Sequence, residues 1–289
     1  MDGRRHRLTP FRPMPGYDLH SHSNRSDGTL APAEVMHLAR SKDLAGVALT
    51  DHDTFDGLGE AAATAEELDL DFVPGIEFSA EYDGASLHIL GYWVDPGDRA
   101  IEAELSRLTA TRLRRGEMIV EKLRALGFGI TLERVLELAG REAIARPHIA
   151  QAMVEVGIVA DEKEAFDRYI SDDGLAYVPK HALAPMDALR LIGQAGGVCV
   201  LAHPGMWRGS DTVPDELIAE MAAAGMVGIE VNHPDHDGEM RVKYAAIADR
   251  LDLVPVSSSD CHGDRYDRRM GQERTDAETF AELKRRAGR

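Results

Sequence analysis

Cysteine is nearly absent from this chain. Cys199 and Cys261 are the two thiols in 289 residues, too few for a disulfide framework, and their surroundings fit a reducing compartment. Long hydrophobic runs are missing as well: no apolar stretch reaches the length of a bilayer span, and the basic start "MDGRRHRLTPFRPMPG" lacks the apolar centre of a secretory signal. The expectation is a cytoplasmic protein with no membrane partner. Positive charge is scarce, with 33 Lys and Arg against 50 Asp and Glu and a net charge of −17. Such an excess repels polyanions and argues against duplex nucleic acid, the short clusters at Arg4–Arg7 and Lys284–Arg289 notwithstanding. A small phosphorylated ligand stays possible if cations are fixed in one pocket. Repeats and low-complexity tracts are lacking too, and the apolar share of 44% is enough for a real core.

What is present is a series of short apolar runs that close on polar residues: "YDLHSH", "GVALTDHD", "DFVPGIEFS", "SLHILGYW", "VCVLAHP", "MVGIEVNH" and "LVPVSSSDCH". These read as seven strands. Helical spacing in "APAEVMHLARSKDL" and "DGLGEAAATAEELDL" separates the first three, which implies parallel pairing. The third and fourth are joined only by "AEYDGA", whose Asp83-Gly84 signals a hairpin. From Pro96 to Lys180 the pattern turns helical, with Gly127, Gly140 and Gly157 placed as C-terminal caps. The expected organisation is an α/β barrel built from 14–97 and 181–289, a helical insertion or lid at 98–180, and a flexible basic tail at 1–13.

The residues closing the runs carry the chemistry. They include His20, His22 and Asp27; Asp51, His52 and Asp53; Glu77; His88; His203; Glu230, Asn232 and His233; and Asp260 and His262. In a parallel barrel the carboxyl ends of the strands share one rim, so these side chains can converge. Residues i and i+2 of a strand face the same way, which lets His20 and His22 grip one ion, pairs Asp260 with His262, and turns Cys261 away. Nitrogen and carboxylate donors without thiolate suit zinc, manganese or iron. The donors outnumber what one four-coordinate ion needs, so more than one metal is expected. His6 and His37 have no such context, whereas His181 and His236 fall in loops near the presumed rim.

At "DLHSHSNRSDG", "LTDHD", "PGIEFS", "LHILGY", "LAHP", "GIEV" and "SSDCH" the chain resembles the PHP family, the polymerase and histidinol phosphatase phosphoesterases. The resemblance spans almost the whole chain in the family's order. It implies a distorted (β/α)7 barrel with two or three divalent ions. Carried over residue by residue, it puts His20, His22, Glu77 and Asp260 on the first metal, Asp27, His52 and His203 on the second, and Glu77, His88 and His262 on the third, with Glu77 bridging. It also implies hydrolysis of nucleotide phosphomonoesters, 3′,5′-nucleoside bisphosphates among them, or of short RNA 5′ ends, by a hydroxide held between two metals.

In "IARPHIA", Pro147 suits a helix's first turn, so Arg146 and His148 flank a helix start that favours an anion, with Lys180 as a further candidate. Arg146, His148 and Lys180 are the expected substrate contacts, and His203, Arg146 and His262 the expected catalytic residues. Two rivals remain open. An amidohydrolase also begins with His-x-His on a barrel strand, but usually carries a bridging lysine where "LHILGYW" offers His88. A metal-holding module without turnover would need neither an open coordination position nor Arg146.

Overall fold

The protein is described here by a computed structural model covering residues 16–139, 144, 146–171, 174–179, 183–207, 212–266 and 269–289. Gly140, Lys180 and His181 lie outside these residues. In chain order the elements are β1 (Tyr17–Asp18), α1 (Pro32–Ser41), β2 (Gly46–Leu49), α2 (Leu58–Glu67), β3 (Asp71–Tyr82), β4 (Ala85–Tyr92), α3 (Arg99–Ala125), α4 (Leu132–Ala139), α5 (Arg146–Glu155) and α6 (Glu162–Ala165), the last running into a π-helical turn at Phe166–Ile170. Then follow α7 (Pro185–Gln194), β5 (Val198–Leu201), α8 (Asp215–Ala223), β6 (Gly228–Asn232), α9 (Gly238–Arg250), β7 (Val254–Ser257) and α10 (Ala277–Arg286). Among the described residues no helix is long and apolar enough to cross a membrane.

The strands form one sheet in the order β1-β2-β3-β4-β5-β6-β7. Pairing is parallel except at β4, which is antiparallel to both β3 and β5. The barrel is nearly closed beyond the ends of β1 and β7, where Ser21 bridges Cys261. There His22 N–H donates to the Cys261 carbonyl at 2.9 Å and Cys261 N–H to that of His20 at 3.3 Å. Strand β1 is thus shorter than the run "YDLHSH", because after Asp18 the chain leaves the regular ladder to make this closure.

Alternation decides which side chains enter the barrel. Ala48, Val73, Leu90, Tyr92, Val198, Val200, Val254 and Val256 share one apolar cluster inside it. Their neighbours face outward: Val47 and Leu49 pack in a cluster with residues of α1 and α2, and Cys199 and Leu201 in one with residues of α7 and α8. The period of two then dictates that Glu77 on β3, His88 on β4 and Glu230 on β6 also point inward, since they stand two or four places from interior positions or alternate with outward Ile229 and Val231. The hairpin corrects the expectation that every strand brings its carboxyl end to one rim. Reversed by the turn at Asp83-Gly84, β4 meets the mouth with its first half, so His88 sits opposite Ser79 in mid-strand.

The helical insertion has its own core, running from Ile119 to Val178. Helix α3 joins it to the barrel: Ile101 and Leu108 pack with barrel residues, and Ile119, Val120 and Leu123 with the insertion. Its start is capped by Asp98, whose carboxylate accepts the N–H groups of Ala100 and Ile101 at 2.9 and 3.1 Å. Gly127 and Gly157 take positive φ, +90° and +70°, at the helix ends where the sequence places caps.

Candidate metal centre

Local geometry aims the imidazoles before any ligand arrives. After β1 the chain stays extended, Ser21 turning outward to donate its hydroxyl to the Ala48 carbonyl at 2.6 Å, while His20 and His22 both face the barrel mouth with rings 5.1 Å apart. The loop after them folds back so tightly that a Cβ at Gly28 would lie 2.5 Å from the His22 carbonyl oxygen. That return brings Asp27 to the rim. His52 bridges to Glu77 beyond β2, and Asp53, His203 and Asp260 hold positive φ values of 51°, 25° and 50°. Non-glycine residues rarely adopt these values, and such strain gathers at functional sites.

Glu77 is the hub and is fully buried. Its Oε2 lies 3.2 Å from His20 Nε2, 3.1 Å from His22 Nε2 and 3.1 Å from His52 Nδ1. Its Oε1 lies 2.9 Å from His88 Nδ1 and 3.1 Å from His203 Nε2. Around this carboxylate three overlapping groups of donor atoms form: His20, His22, Glu77 and Asp260; His22, Asp27, His52 and His262; and His52, Glu77 and His88. The first is the set the resemblance implies. The other two differ from it. His262 joins Asp27, its Nε2 3.1 Å from Oδ1, rather than His88. His203 stands outside the three groups and reaches them through Glu77. The exchange follows from the fold, because His262 lies just past the β1–β7 closure beside Asp27, whereas His203 follows β5 next to β4.

These residues fit divalent cations. His20 Nε2, His22 Nε2, His52 Nδ1, Glu77 Oε2 and Asp260 Oδ1 are buried without a hydrogen-bond partner, although they approach one another to 3.1–3.3 Å. Buried polar atoms are normally paired, and lone pairs converging on a common space are what a cation satisfies. A neutral imidazole offers one lone pair, so His22, shared by two groups, serves one of them at a time.

Outer carboxylates orient the inner set. Glu230 receives His20 Nδ1–H at 3.0 Å, the His203 amide at 2.5 Å and the Ser258 hydroxyl, which leaves His20 Nε2 facing the centre. Asp51 accepts the Ser23 amide and hydroxyl, both at 2.7 Å, and the Ser26 hydroxyl at 2.8 Å. Asp18 ties the "SSSDCH" loop to β1, accepting the Ser259 amide at 2.9 Å and its hydroxyl at 2.5 Å. His236 is structural: it donates to the Val231 carbonyl at 2.9 Å and accepts the Gly205 amide at 3.2 Å. Cys261 packs with Val35 and Leu44, away from the imidazoles.

Burial opposes charge on each group, and neighbours overrule it at most of them. At His20, burial lowers the pKa but Glu77, Glu230 and Asp260 raise it well above the ordinary value. At His22 the same opposition ends with Asp260 and Glu77 lifting it to about 10. Burial would raise Asp27, Glu77 and Asp260, yet the surrounding imidazoles hold all three well below the carboxylate range. At His52 burial prevails and the ring is kept neutral. Metal binding takes neutral imidazoles, so a cation entering here displaces the protons of His20 and His22. Affinity therefore rises with pH, about tenfold per unit for each proton displaced, the His22 contribution ending as the pH passes about 10. Calorimetric titration of metal-free protein with Mn²⁺, in buffers of different ionisation enthalpy, counts the released protons; binding without proton release would contradict this electrostatic picture.

The centre opens into a cleft of about 1090 Å³ roofed by α3 and α5 and lined by Asp27, His52 and His88 on the barrel side. Among the described residues four arginines also line it: Arg25, Arg112, Arg115 and Arg146. Arg146 lies over the Phe166 ring at 5.7 Å and donates to the Ile170 carbonyl at 3.3 Å. His148 does not line the cleft and is 8% exposed. Residues two apart on α5 do not face the same way, so Arg146 and His148 leave the helix on different sides. Lys180 lies outside the described residues. Sequence reasoning missed Arg112, which pairs with Asp53 and donates to Ser79 Oγ at 3.2 Å. The available signal was the spacing of Ser106, Thr109, Arg112 and Gly116 on one face of a long helix, all of which line the cleft.

The profile of the PHP domain matches residues 18–168. Over 250 residues the chain is 36% identical to the 3′,5′-nucleoside bisphosphate phosphatase of Chromobacterium violaceum, covering 86% of this chain and 88% of that protein. It is 32% identical over 246 residues to a 5′-3′ exoribonuclease of Haemophilus influenzae, with coverage of 85% and 89%. A solved structure from Bifidobacterium adolescentis, described as a metal-dependent phosphoesterase, is similar with a TM-score of 0.85 and 35% identity, covering 95% of this chain and 97% of that one.

Proposed function

Because this chain belongs to the PHP family and is a metal-dependent phosphoesterase, a hydrolase of phosphoester bonds, we propose that its substrate is a nucleotide phosphomonoester, with 3′,5′-nucleoside bisphosphates foremost. One observation carries the choice: four arginines line the cleft beside the imidazole and carboxylate cluster, in a protein of net charge −17. Asp27, Asp53, Asp56 and Glu102 line it as well, with Arg112 paired to Asp53 and Arg25 to Glu60, while Arg115 and Arg146 donate to the backbone carbonyls of Val178 and Ile170. Guanidinium groups set along one cleft suit a ligand with more than one phosphate. Phe55 and Phe166 line the same cleft and offer apolar faces for a base.

Manganese, zinc or iron, two or three ions held by His20, His22, Asp27, His52, Glu77, His88, Asp260 and His262, would supply Lewis-acid charge and an acidified water when bound. The chain's own groups do the rest. Arg146 holds a phosphate by its guanidinium fork at the roof of the cleft. His203, outside the three donor groups, keeps Nε2 3.1 Å from Glu77 Oε1, where it can hold and give the proton that the leaving oxygen needs. His262 steadies Asp27 at the rim.

The similarity to an exoribonuclease favours a second reading, removal of 5′ nucleotides from short RNA. A solved structure from Chromobacterium violaceum described as an amidohydrolase, with a TM-score of 0.82 and 34% identity, makes an amide substrate the further reading to test, although no lysine occurs among the described residues lining the cleft. The test is a panel assayed with added Mn²⁺: 3′,5′-bisphosphates, 5′- and 3′-mononucleotides, short 5′-phosphorylated RNAs and dipeptides. Phosphate release with the highest kcat/KM on a bisphosphate is expected; a preference for RNA by an order of magnitude would select the second reading instead.

A further inference from the structure

One buried imidazole beside the centre has no part in the chemistry above. His233, just past β6, is fully buried. Its Nδ1 accepts the backbone N–H of Asp235 at 3.2 Å, so the proton of the neutral ring sits on Nε2. Nε2 is itself buried without a hydrogen-bond partner, and it faces Asp260 Oδ2 at 3.8 Å. The other nearby carboxylates are already engaged: Glu230 takes His20 and Ser258 on Oε1 and the His203 amide on Oε2, and Asp235, whose Oδ2 lies 3.7 Å from the opposite nitrogen Nδ1, accepts Arg269 at 2.7 Å. A neutral ring that accepts a hydrogen bond at Nδ1 carries its proton on Nε2 and has no lone pair to offer there. His233 is therefore a donor and not a ligand.

We propose that His233 is a positioning residue for Asp260: its Nε2–H holds Oδ2 and so turns Oδ1 into the metal centre. This rests on reading Asp260 as a metal ligand. Oδ1 lies 3.3 Å from His20 Nε2 and 3.1 Å from His22 Nε2, on the side of the carboxylate where the donor atoms gather. At 3.8 Å the contact between His233 and Oδ2 is longer than a formed hydrogen bond, so the role requires the two atoms to draw together by under about 1 Å, to about 3 Å, when the centre is loaded. The ring is well anchored for this task. Arg241 donates to the His233 carbonyl at 2.9 Å, and the His203 and His236 rings flank it at 5.5 and 5.3 Å. Partners of ligating carboxylates fix their orientation, and their loss typically weakens metal binding.

The test uses the full chain, stripped of metal and titrated with Mn²⁺ as wild type, His233→Leu, His233→Gln and Asp260→Ala. Leu keeps the bulk but not the donor, whereas Gln restores an N–H at a similar reach. The expected result is about a 10- to 100-fold weaker affinity for His233→Leu and near wild-type affinity for His233→Gln. A second reading needs no variant: nitrogen-15 NMR of the metal-free wild type should show His233 protonated at Nε2 and bare at Nδ1. Wild-type affinity in His233→Leu while Asp260→Ala loses binding would overturn the proposal, as would a proton on Nδ1. Should Asp260→Ala bind Mn²⁺ normally, the ligand reading of Asp260 fails and takes the proposal with it, the tautomer being unaffected.

Discussion

Glu77→Gln is expected to cut turnover by about 10³-fold or more and to lower metal content sharply, while the protein stays folded. The substitution is isosteric and removes one negative charge from a group that five imidazoles approach within 3.2 Å. Loss of a single preorganised electrostatic contact in an active site costs about 10² to 10³ in rate. Glu77 belongs to two donor groups at once, so its removal exceeds that range. The fold survives because His20 and His22 are protonated in the metal-free protein largely through Glu77, Asp260 and Glu230. With one carboxylate gone they shed protons instead of remaining as unpaired buried charges. Elemental analysis beside kcat/KM, with a thermal melt to confirm folding, checks this; a Gln variant that retained both metal and turnover would remove Glu77 from the hub.

Arg146→Ala should act on a different quantity. Arg146 lines the cleft from the insertion and belongs to none of the donor groups, so metal content is expected to stay at the wild-type level. A charge-assisted hydrogen bond to a phosphate contributes about 1.5–3 kcal/mol, which corresponds to a loss of about 10- to 150-fold in kcat/KM, carried mainly by KM. Arg146→Lys should recover only part of it, because a lysine offers a point charge where the guanidinium offers a fork. Steady-state kinetics on a bisphosphate and on a mononucleotide separates the roles: a loss confined to the bisphosphate places Arg146 on the second phosphate, and unchanged KM on both denies it a substrate contact.

Most of the centre is legible in the primary structure because strands impose a period of two. Glu77 and His88 alternate with Phe78 and Ile89, which pack outside the barrel, so their inward direction follows from the apolar pattern alone. The same rule accounts for His20 and His22, even though the chain there bridges rather than forming a regular strand. It fails where the polypeptide turns. His203 and His262 follow the last strand residues into loops, where no alternation holds, and there the grouping of donors differs from the one the resemblance implies. In a helix the period differs, and two residues apart, as Arg146 and His148 are on α5, means different sides.

Residue order alone therefore determined the seven strands, the hairpin, the helical insertion and the set of imidazoles and carboxylates, since each is written in spacing between neighbours. Only the tertiary structure decided which donors share a group, that Arg112 reaches across from α3 to Asp53, and that Glu230 and His233 stand behind the centre. Those facts depend on where the barrel closes and how a long helix lies over its mouth. Closure joins residues more than two hundred positions apart, such as Ser21 with Cys261, and local periodicity holds no information at that range.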